Sequence, residues 1–148
     1  MFSEGQIIYF SPFYFKNGNT AKNKYFIVIK NVENEVIIAS LPTRLNKIPS
    51  FVTVPHGCVN HNERCFNCYL FEAGRKITDN GFCFDLPTFI YGDEIEDYKL
   101  ETLNSVYGME GVDYEIMGTL LNEEYNALLE CIRNSTSVKR KIKRLIGP

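Results

Sequence analysis

The sequence has no tryptophan and no long hydrophobic run. Its 148 residues include 9 Tyr and 11 Phe, and the longest apolar stretch is the short segment 25–29. A helix needs roughly 20 apolar residues to cross a bilayer, so no membrane span is predicted. The first residues, MFSEGQ, contain neither the basic region nor the apolar region of a secretion signal. We therefore expect a cytoplasmic protein with no membrane partner.

Cysteine is present in an odd number, which limits the disulfides that the chain can form. The five cysteines are Cys58, Cys65, Cys68, Cys83 and Cys131. An odd count without a secretion signal argues against a disulfide framework. We expect free thiols that pack as small hydrophobic side chains.

The net charge of -2 hides an uneven distribution. The last ten residues hold five cations and no acid, namely Lys139, Arg140, Lys141, Lys143 and Arg144. The rest of the chain then has 11 basic and 18 acidic residues, a formal charge of about -7. An acidic body with a basic tail indicates a local charged surface, not a protein covered in nucleic acid. The tail has three interpretations: contact with an RNA backbone, the solvated face of an amphipathic helix, or a docking site for an acidic partner.

The first ninety residues predict a series of short strands. Gly, Pro and Asn punctuate apolar segments at a spacing of about ten residues, which is typical of a small barrel or strongly bent sheet. The predicted strands are 6–10 (continued at 13–15), 25–29, 36–41, 50–54, 69–71, 81–84 and 88–91. Segments 25–29 and 36–41 form a plausible antiparallel hairpin, in which the numbers of paired residues add to about 66.

After Gly92 the pattern becomes helical. An acidic cluster (Asp93, Glu94, Glu96 and Asp97) precedes a helix predicted from about 97 to 106, and a strand follows at 113–120. A further helix begins at Asn122 as N-cap, and a last helix covers 138–146. The fold predicted is a β-rich α+β class: one domain, 1–148, with mainly strands in 1–92 and a helical C-terminal segment in 93–148.

Two histidines and three cysteines lie within thirteen residues, which raises the question of a metal. They are His56, Cys58, His61, Cys65 and Cys68. A structural zinc needs four such ligands in a tetrahedron, and one CxxC without a second regular pair is weak support. The alternative, which the pattern favours, has Cys68 facing the core and the histidines capping a loop. No cofactor is predicted.

The same residues suggest two other chemistries, a redox CxxC pair and a Cys–His nucleophile. The redox pair requires a feature that lowers a thiol pKa, such as a helix N-terminus. The nucleophile requires a base within hydrogen-bond distance and a third group that orients this base. The sequence indicates none of these features.

The end of the predicted strand 36–41 brings a hydroxyl and a guanidinium together. Thr43 and Arg44 follow it, and the hairpin numbering places them opposite Asn23 and Lys24. One hydroxyl beside two cations at the rim of a sheet suits a phosphate oxygen. The alternative is a plain polar strand end.

Three segments of the chain resemble a known family. GQIIYF at 5–10, KYFIVI at 24–29 and IASLPT at 38–43 are similar to the N-terminal half of the MazF/PemK family of toxin–antitoxin ribonucleases, over residues 5–55. The resemblance implies an SH3-like barrel, usually a homodimer, which an antitoxin neutralises. It also implies metal-independent cleavage of single-stranded RNA by attack of a 2′ oxygen on the adjacent phosphate.

The resemblance also suggests catalytic residues, with three departures. Lys24 stands where the family has arginine, Tyr25 replaces the proline after it, and the Leu and Pro before Thr43 are in swapped order. Thr43 would hold the phosphate, and Lys24 would carry the charge and the leaving-group proton. Arg44 is our own addition, as a guanidinium that replaces the missing arginine fork.

RNA contacts are expected from two groups of residues. Tyr9, Phe13 and Tyr14 are candidates for stacking on unpaired bases, with a place in the core as the alternative. In the tail, the candidate backbone contacts are Lys139, Arg140, Lys143 and Arg144. The competing function is a non-catalytic SH3-like barrel that binds nucleic acid or a protein.

Overall fold

The computed structural model of the chain describes residues 2–43 and 55–147, apart from the side chain of Arg64. The predicted strand 50–54 and the candidate Arg44 lie outside the described residues. The described strands are β1 (Gln6–Phe13), β2 (Lys22–Val32), β3 (Glu35–Ser40), β4 (Gly57–His61), β5 (Phe66–Phe71), β6 (Thr88–Tyr91), β7 (Ile95–Lys99) and β8 (Tyr114–Thr119). The helices are α1 (Leu100–Val106), α2 (Asn122–Arg133) and α3 (Arg140–Ile146), with 3₁₀ turns at Asn62–Arg64 and Gly92–Glu94.

The strands form two antiparallel sheets. The larger sheet has the order β7-β3-β2-β1-β8, and the smaller sheet has the order β4-β5-β6. The predicted β-rich α+β class is therefore confirmed. None of the helices in the described part of the chain is long and apolar enough to cross a membrane.

The β2–β3 hairpin has the predicted register in its first half. Phe26 pairs with Ser40, and Val28 pairs with Ile38, so the residue numbers add to 66. A bulge after Val28 then shifts the pairing by one residue toward the turn. The turn itself places Glu33 at a positive φ of 54°.

Both faces of this hairpin are buried, which explains its continuous apolar sequence. On one face, Ile27, Ile29 and Ile37 pack with residues of the smaller sheet and of helices α2 and α3. We call this cluster the inter-sheet core; its other members include Tyr69, Ile90, Leu128, Ile132 and Ile142. On the opposite face lies the aromatic core, formed by Phe10, Phe13, Phe26, Val28, Ile38, Tyr107 and Tyr114 with their neighbours.

Several predicted elements differ from the structure after residue 56. The helix expected from 97 begins only at Leu100, because 95–99 pairs with β3 as strand β7. The alternation of this segment explains the pairing, since Ile95 is buried in the inter-sheet core and Tyr98 packs on the aromatic core. Strand β4 was not predicted. Asn122 is the first residue of α2 and not its cap.

Residues 81–84, expected as a strand, form an irregular segment instead. Phe84 is buried and Phe82 packs beside it in the inter-sheet core. Turn hydrogen bonds hold the segment: Ile77 N–H donates to Phe82 O at 3.2 Å, and Gly74 N–H donates to Phe84 O at 2.8 Å. Its apolar pattern therefore reflects aromatic packing, not sheet pairing.

The prediction of five free thiols is wrong for two cysteines. Cys58 in β4 and Cys131 in α2 form a disulfide, while Cys65, Cys68 and Cys83 are free. The two bonded residues are separated by 73 positions, so no local spacing indicates the pair. Asn67 and Asn60 surround the bond, and their amides donate to Cys131 Sγ at 3.2 Å and to Cys131 O at 3.2 Å.

We predict that Cys58→Ser destabilises the protein substantially. A cross-link over 73 positions removes chain entropy from the unfolded state, which corresponds to about 4 kcal/mol in the loop-closure description. Cys58 is exposed, so its replacement should leave packing nearly unchanged. The measurement is urea unfolding of the oxidised protein and the variant. The control is Cys65→Ser, which replaces an exposed free thiol. Equal stability of the two variants would contradict the prediction.

Candidate functional site

A cleft of about 600 Å³ opens where the aromatic core reaches the end of the hairpin. Alternate residues of three neighbouring strands point to this face of the sheet. Phe26 pairs with Ser40 and Ile38 pairs with Glu96, so the strands place these side chains in adjacent rows. We call it the lysine cleft; its lining from the strands consists of Lys22, Lys24, Phe26, Ile38, Ser40, Glu96 and Tyr98.

Three lysines line the cleft, and one of them, Lys16, is held in place by contacts with neighbouring residues. Lys16 Nζ lies 4.1 Å from the centroid of the Tyr98 ring and donates a hydrogen bond to the backbone oxygen of Asp97. A cation over an aromatic face is held by the ring quadrupole, so Lys16 has a fixed place in the wall. Lys22 is exposed and Lys24 is half-buried.

Carboxylates line the opposite wall of the lysine cleft. Asp93 and Glu94 come from the 3₁₀ turn before β7, and Glu96 comes from β7 itself. Lys139, from the chain just before α3, lies with its Nζ 3.1 Å from Glu96 Oε1. One cleft carboxylate is therefore neutralised from outside the cleft, which leaves the site less acidic than its lining suggests.

The floor of the cleft is aromatic. Phe15 packs against Phe13 with ring centroids 5.3 Å apart and continues the aromatic core toward the opening. Burial, followed by the nearby negative charge of Glu96, raises the pKa of Tyr98 to about 12. The Tyr98 hydroxyl consequently keeps its proton at neutral pH and can donate a hydrogen bond.

The structure places Lys24 in the cleft but not Thr43. Pairing of β2 with β3 ends with the bond from Leu41 N–H to Tyr25 O, at 3.0 Å. The chain then turns to the smaller sheet, where Pro42 O accepts from Phe89 N–H at 2.9 Å. Thr43 is exposed and is not part of the described lining of the cleft. Ser40 supplies the hydroxyl that lines the cleft. The sequence contains a signal for it, because side chains two residues apart on a strand share a face and Ser40 therefore points the same way as Ile38.

The three aromatic candidates for base stacking occupy different environments. Phe13 is fully buried in the aromatic core, so its ring offers no face to a base. Tyr9 is half-buried against Tyr25, at 4.8 Å between ring centroids. Tyr14 is 58% exposed and stacks on Tyr107 at 6.2 Å, which leaves its other face open. Sequence reasoning missed Phe15, which lines the cleft.

The candidate zinc ligands are not assembled into one site. Cys58 is bonded to Cys131, Cys65 is exposed, and Cys68 is buried with its pKa raised to about 12 by burial. Within 2–43 and 55–147, no three His, Cys, Asp or Glu side chains are grouped as a metal site requires. The alternative in which Cys68 faces the core agrees with this placement.

His56 belongs instead to a hydrogen-bond network that joins the smaller sheet to α2. Its Nε2 lies 2.5 Å from Glu124 Oε1, and Tyr69 O–H donates to Glu124 Oε2 at 2.6 Å. The backbone N–H of Glu72 donates to His56 Nδ1 at 3.2 Å, which leaves the proton of the neutral ring on Nε2. Burial, followed by the bond to Glu124, raises the pKa of Tyr69. These contacts fasten α2 to β5.

The basic tail makes ion pairs with the chain's own acidic cluster. Lys141 Nζ lies 2.9 Å from Asp97 Oδ2 and 3.8 Å from Glu35 Oε1, beside the pair between Lys139 and Glu96. The hydrogen bond from Lys141 lowers the pKa of Asp97, although partial burial opposes this shift. An acidic surface thus faces part of the tail within the protein itself.

The other three cations of the tail have a different environment. Arg140 and Arg144 are exposed, and Lys143 is half-buried with its Nζ donating to Ser135 O at 2.7 Å. Of the four tail residues predicted to contact RNA, only Lys139 therefore has a carboxylate partner among the described residues.

Comparison of the chain with protein-family models, with curated proteins and with solved structures gave no significant match.

We predict that the pair between Asp97 and Lys141 makes stability depend on acid pH. The pKa of Asp97 in the folded protein lies below the unfolded value of about 3.9. The ionised carboxylate therefore adds to the free energy of unfolding at every pH above that value. The contribution disappears as the pH falls through the folded pKa. Urea unfolding between pH 6 and pH 2.5 should show a shallower acid limb for Lys141→Gln than for the wild type. The control is Lys76→Gln, which removes an exposed charge. The prediction is contradicted if the free energy of unfolding of Lys141→Gln falls with acid pH as steeply as that of the wild type.

Proposed function

We propose that the protein is a metal-independent endoribonuclease of the MazF/PemK type that cleaves single-stranded RNA in the lysine cleft. The observation that carries the proposal is the composition of this one cleft. Lysines, carboxylates and a serine hydroxyl surround an aromatic floor at the end of the β2–β3 hairpin. The segments that resemble the family contribute Lys24, Phe26, Ile38 and Ser40 to its lining.

Attack of a 2′ oxygen on its own phosphate requires three groups. A base accepts the proton of the 2′-hydroxyl, an acid protonates the departing 5′ oxygen, and cations stabilise the charge on phosphorus. Lys24 provides a cation and, as the resemblance suggests, the proton for the departing 5′ oxygen, while Lys22 provides a second cation. The carboxylates on the opposite wall, among them the half-buried Glu94, are the candidate bases. The phosphodiester then breaks to give a 2′,3′-cyclic phosphate and a free 5′-hydroxyl, and no redox partner is required.

The aromatic floor supports a single-stranded substrate. The half-buried ring of Phe15 lines the cleft, and stacking of an unpaired base on such a ring contributes about 1–3 kcal/mol. A duplex keeps its bases stacked inside the helix, so this contribution requires unpaired nucleotides. Tyr14, which has an open ring face, is a second candidate for stacking, outside the described lining of the cleft.

The proposal extends to the architecture and the partners that the resemblance implies. Two antiparallel sheets that share the inter-sheet core support an SH3-like barrel. A homodimer and a small antitoxin are the partners proposed, and the cytoplasm is the location proposed. Cytoplasmic conditions are reducing, so activity must be measured with the Cys58–Cys131 disulfide both formed and reduced.

A second candidate function has one observation in its favour. Lys24 replaces the family's arginine, and a lysine is a point charge without the planar fork that holds two phosphate oxygens. Thr43, the other residue that the resemblance suggests, lies outside the described lining of the cleft. A barrel that binds nucleic acid or a protein without cleaving it is consistent with both features.

We predict that Lys24→Ala reduces RNA cleavage by about 10²- to 10³-fold, because the variant lacks one cation that stabilises the charge of the transition state. The assay uses the purified protein on mixed-sequence single-stranded RNA with EDTA, with and without dithiothreitol. Products are examined for 2′,3′-cyclic phosphate ends. The matched control is Lys76→Ala, because Lys76 is an exposed lysine outside the described lining of the cleft.

Two further variants assign the hydroxyl, since Ser40 and Thr43 are both candidates. Loss of activity in Ser40→Ala alone supports the lining of the lysine cleft, and loss in Thr43→Ala alone supports the residue that the resemblance suggests. Intact RNA with a folded wild-type protein contradicts the nuclease and favours the binding module. Cleavage that survives Lys24→Ala places the site elsewhere.

We predict that Lys139 supports RNA binding by neutralising Glu96 and not by touching RNA. Lys139→Gln should weaken binding, because Glu96 then repels the phosphates in the cleft. In a Glu96→Gln background the same change should have little effect. A double-mutant cycle measured by fluorescence anisotropy tests this coupling. If Lys139 contacts RNA directly, its removal will weaken binding equally in both backgrounds.

A further inference from the structure

A second concavity, of about 370 Å³, lies at the C-terminal end of the described chain. Its lining consists of Arg133 from α2, Lys143 and Arg144 from α3, and Gly147. We call it the C-terminal basic pocket. Unlike the lysine cleft, its described lining contains no carboxylate, so three cations share one small surface.

The cations of this pocket are held by neutral groups. Arg133 Nε donates to Gly147 O at 3.0 Å, and Lys143 Nζ donates to Ser135 O at 2.7 Å. Within the described residues, no Asp or Glu lies within ion-pair distance of Arg133, Lys143 or Arg144. Two backbone carbonyls thus hold two of these cations, and no carboxylate of the described residues forms an ion pair with them.

The cations of α3 and of the residue before it fall into two groups, one that is ion-paired and one that lines the pocket. Lys139 and Lys141 are ion-paired with the acidic strand β7, and this pairing anchors the helix. Arg144 is exposed on the same helix and joins Arg133 and Lys143 around the pocket. In a chain whose remaining body carries a formal charge of about -7, this is a local positive field that attracts polyanions.

We propose that the C-terminal basic pocket binds backbone phosphates of single-stranded RNA, as a contact separate from the lysine cleft. The chemistry favours phosphate. Among the described residues, the hydrogen bond that Arg133 donates is from Nε to Gly147 O, so its two terminal nitrogens and the guanidinium of Arg144 suit the paired oxygens of a phosphodiester. The choice of RNA over an acidic peptide rests on the proposed function, which supplies RNA as the ligand.

The test measures binding independently of cleavage. The probe is a fluorescein-labelled single-stranded oligonucleotide of mixed sequence in which every 2′-hydroxyl is methylated, so the strand cannot be cut. Anisotropy titrations at several salt concentrations give the affinity and its salt dependence for the wild type, Arg144→Gln and Arg133→Gln. Lys76→Gln is the matched control, because it removes an exposed charge outside both sites. Thermal melting checks that each variant is folded.

Each arginine variant should weaken binding by about fivefold, the effect of one exposed ion pair. The slope of log affinity against log salt should also fall by about 0.7 for each phosphate that the variant no longer binds. Lys76→Gln should match the wild type. Because the strand is inert, this result stands even if the nuclease assay fails, and that combination would identify a binding protein.

Two results would overturn the proposal. The first is binding by folded Arg144→Gln and Arg133→Gln that equals binding by Lys76→Gln, with an unchanged salt slope. The second is that a labelled poly-glutamate peptide binds the wild type but not Arg144→Gln, under conditions where the oligonucleotide does not bind. That outcome would assign the pocket to an acidic protein partner.

Discussion

Burial of the β2–β3 hairpin on both faces is the constraint on which the rest of the structure depends. In β2, Ile27 and Ile29 point to the inter-sheet core, while Phe26 and Val28 point to the aromatic core. A slip of one residue would exchange these sets and place aromatic rings among the aliphatic residues that face α2. The same alternation carries Lys24 and Ser40 to the open end of the aromatic face. The position of the lysine cleft thus follows from the pairing that forms the core.

In the C-terminal half, ion pairs determine where helix α3 lies against the sheet. Two residues of the acidic cluster, Glu96 and Asp97, lie on the edge strand β7, and an exposed strand edge invites pairing with other chains. Lys139 and Lys141 cover this edge region with positive side chains and join it to α3. Exposed ion pairs are screened by water and contribute little to the free energy of unfolding, so their role here is placement of the helix more than stability. Part of the basic tail is thereby used within the protein, and the remaining tail cations form no ion pair with the described carboxylates.

The parts of the fold that the sequence predicts correctly are those with a local signal. The hairpin register follows from two apolar runs and a polar turn, and α2 follows from its amphipathic spacing. The pattern fails where distant segments decide the structure. Strand β4 pairs along β5, and its polar and cysteine residues suggest a metal motif when they are considered alone. The aromatic segment 81–84 satisfies a strand pattern but packs as an irregular loop.

The candidate site shows the same division between local and distant information. Lys24 and Ser40 could be assigned to one face from the period of two along each strand. The carboxylate wall could not, because β7 joins the sheet more than fifty residues after β3. Thr43 fails for a related reason: the hairpin numbering extends past the point where Pro42 leaves β2 for the smaller sheet. The register remained correct, but the strand was shorter than its apolar pattern predicted.

Attachment of α2 connects these features, because the helix is fixed by three kinds of contact. The disulfide holds Cys131 to β4, the half-buried carboxylate of Glu124 binds Tyr69 and His56, and Tyr125 O–H donates to Ile29 O at 2.6 Å. The last two groups of bonds do not depend on redox conditions. A reducing cytoplasm would remove the covalent link, but the hydrogen bonds and the apolar face of α2 would still place Arg133 next to α3. Because neither charged site contains a bonded cysteine and these contacts do not involve the disulfide, we expect both sites to keep their geometry in either redox state.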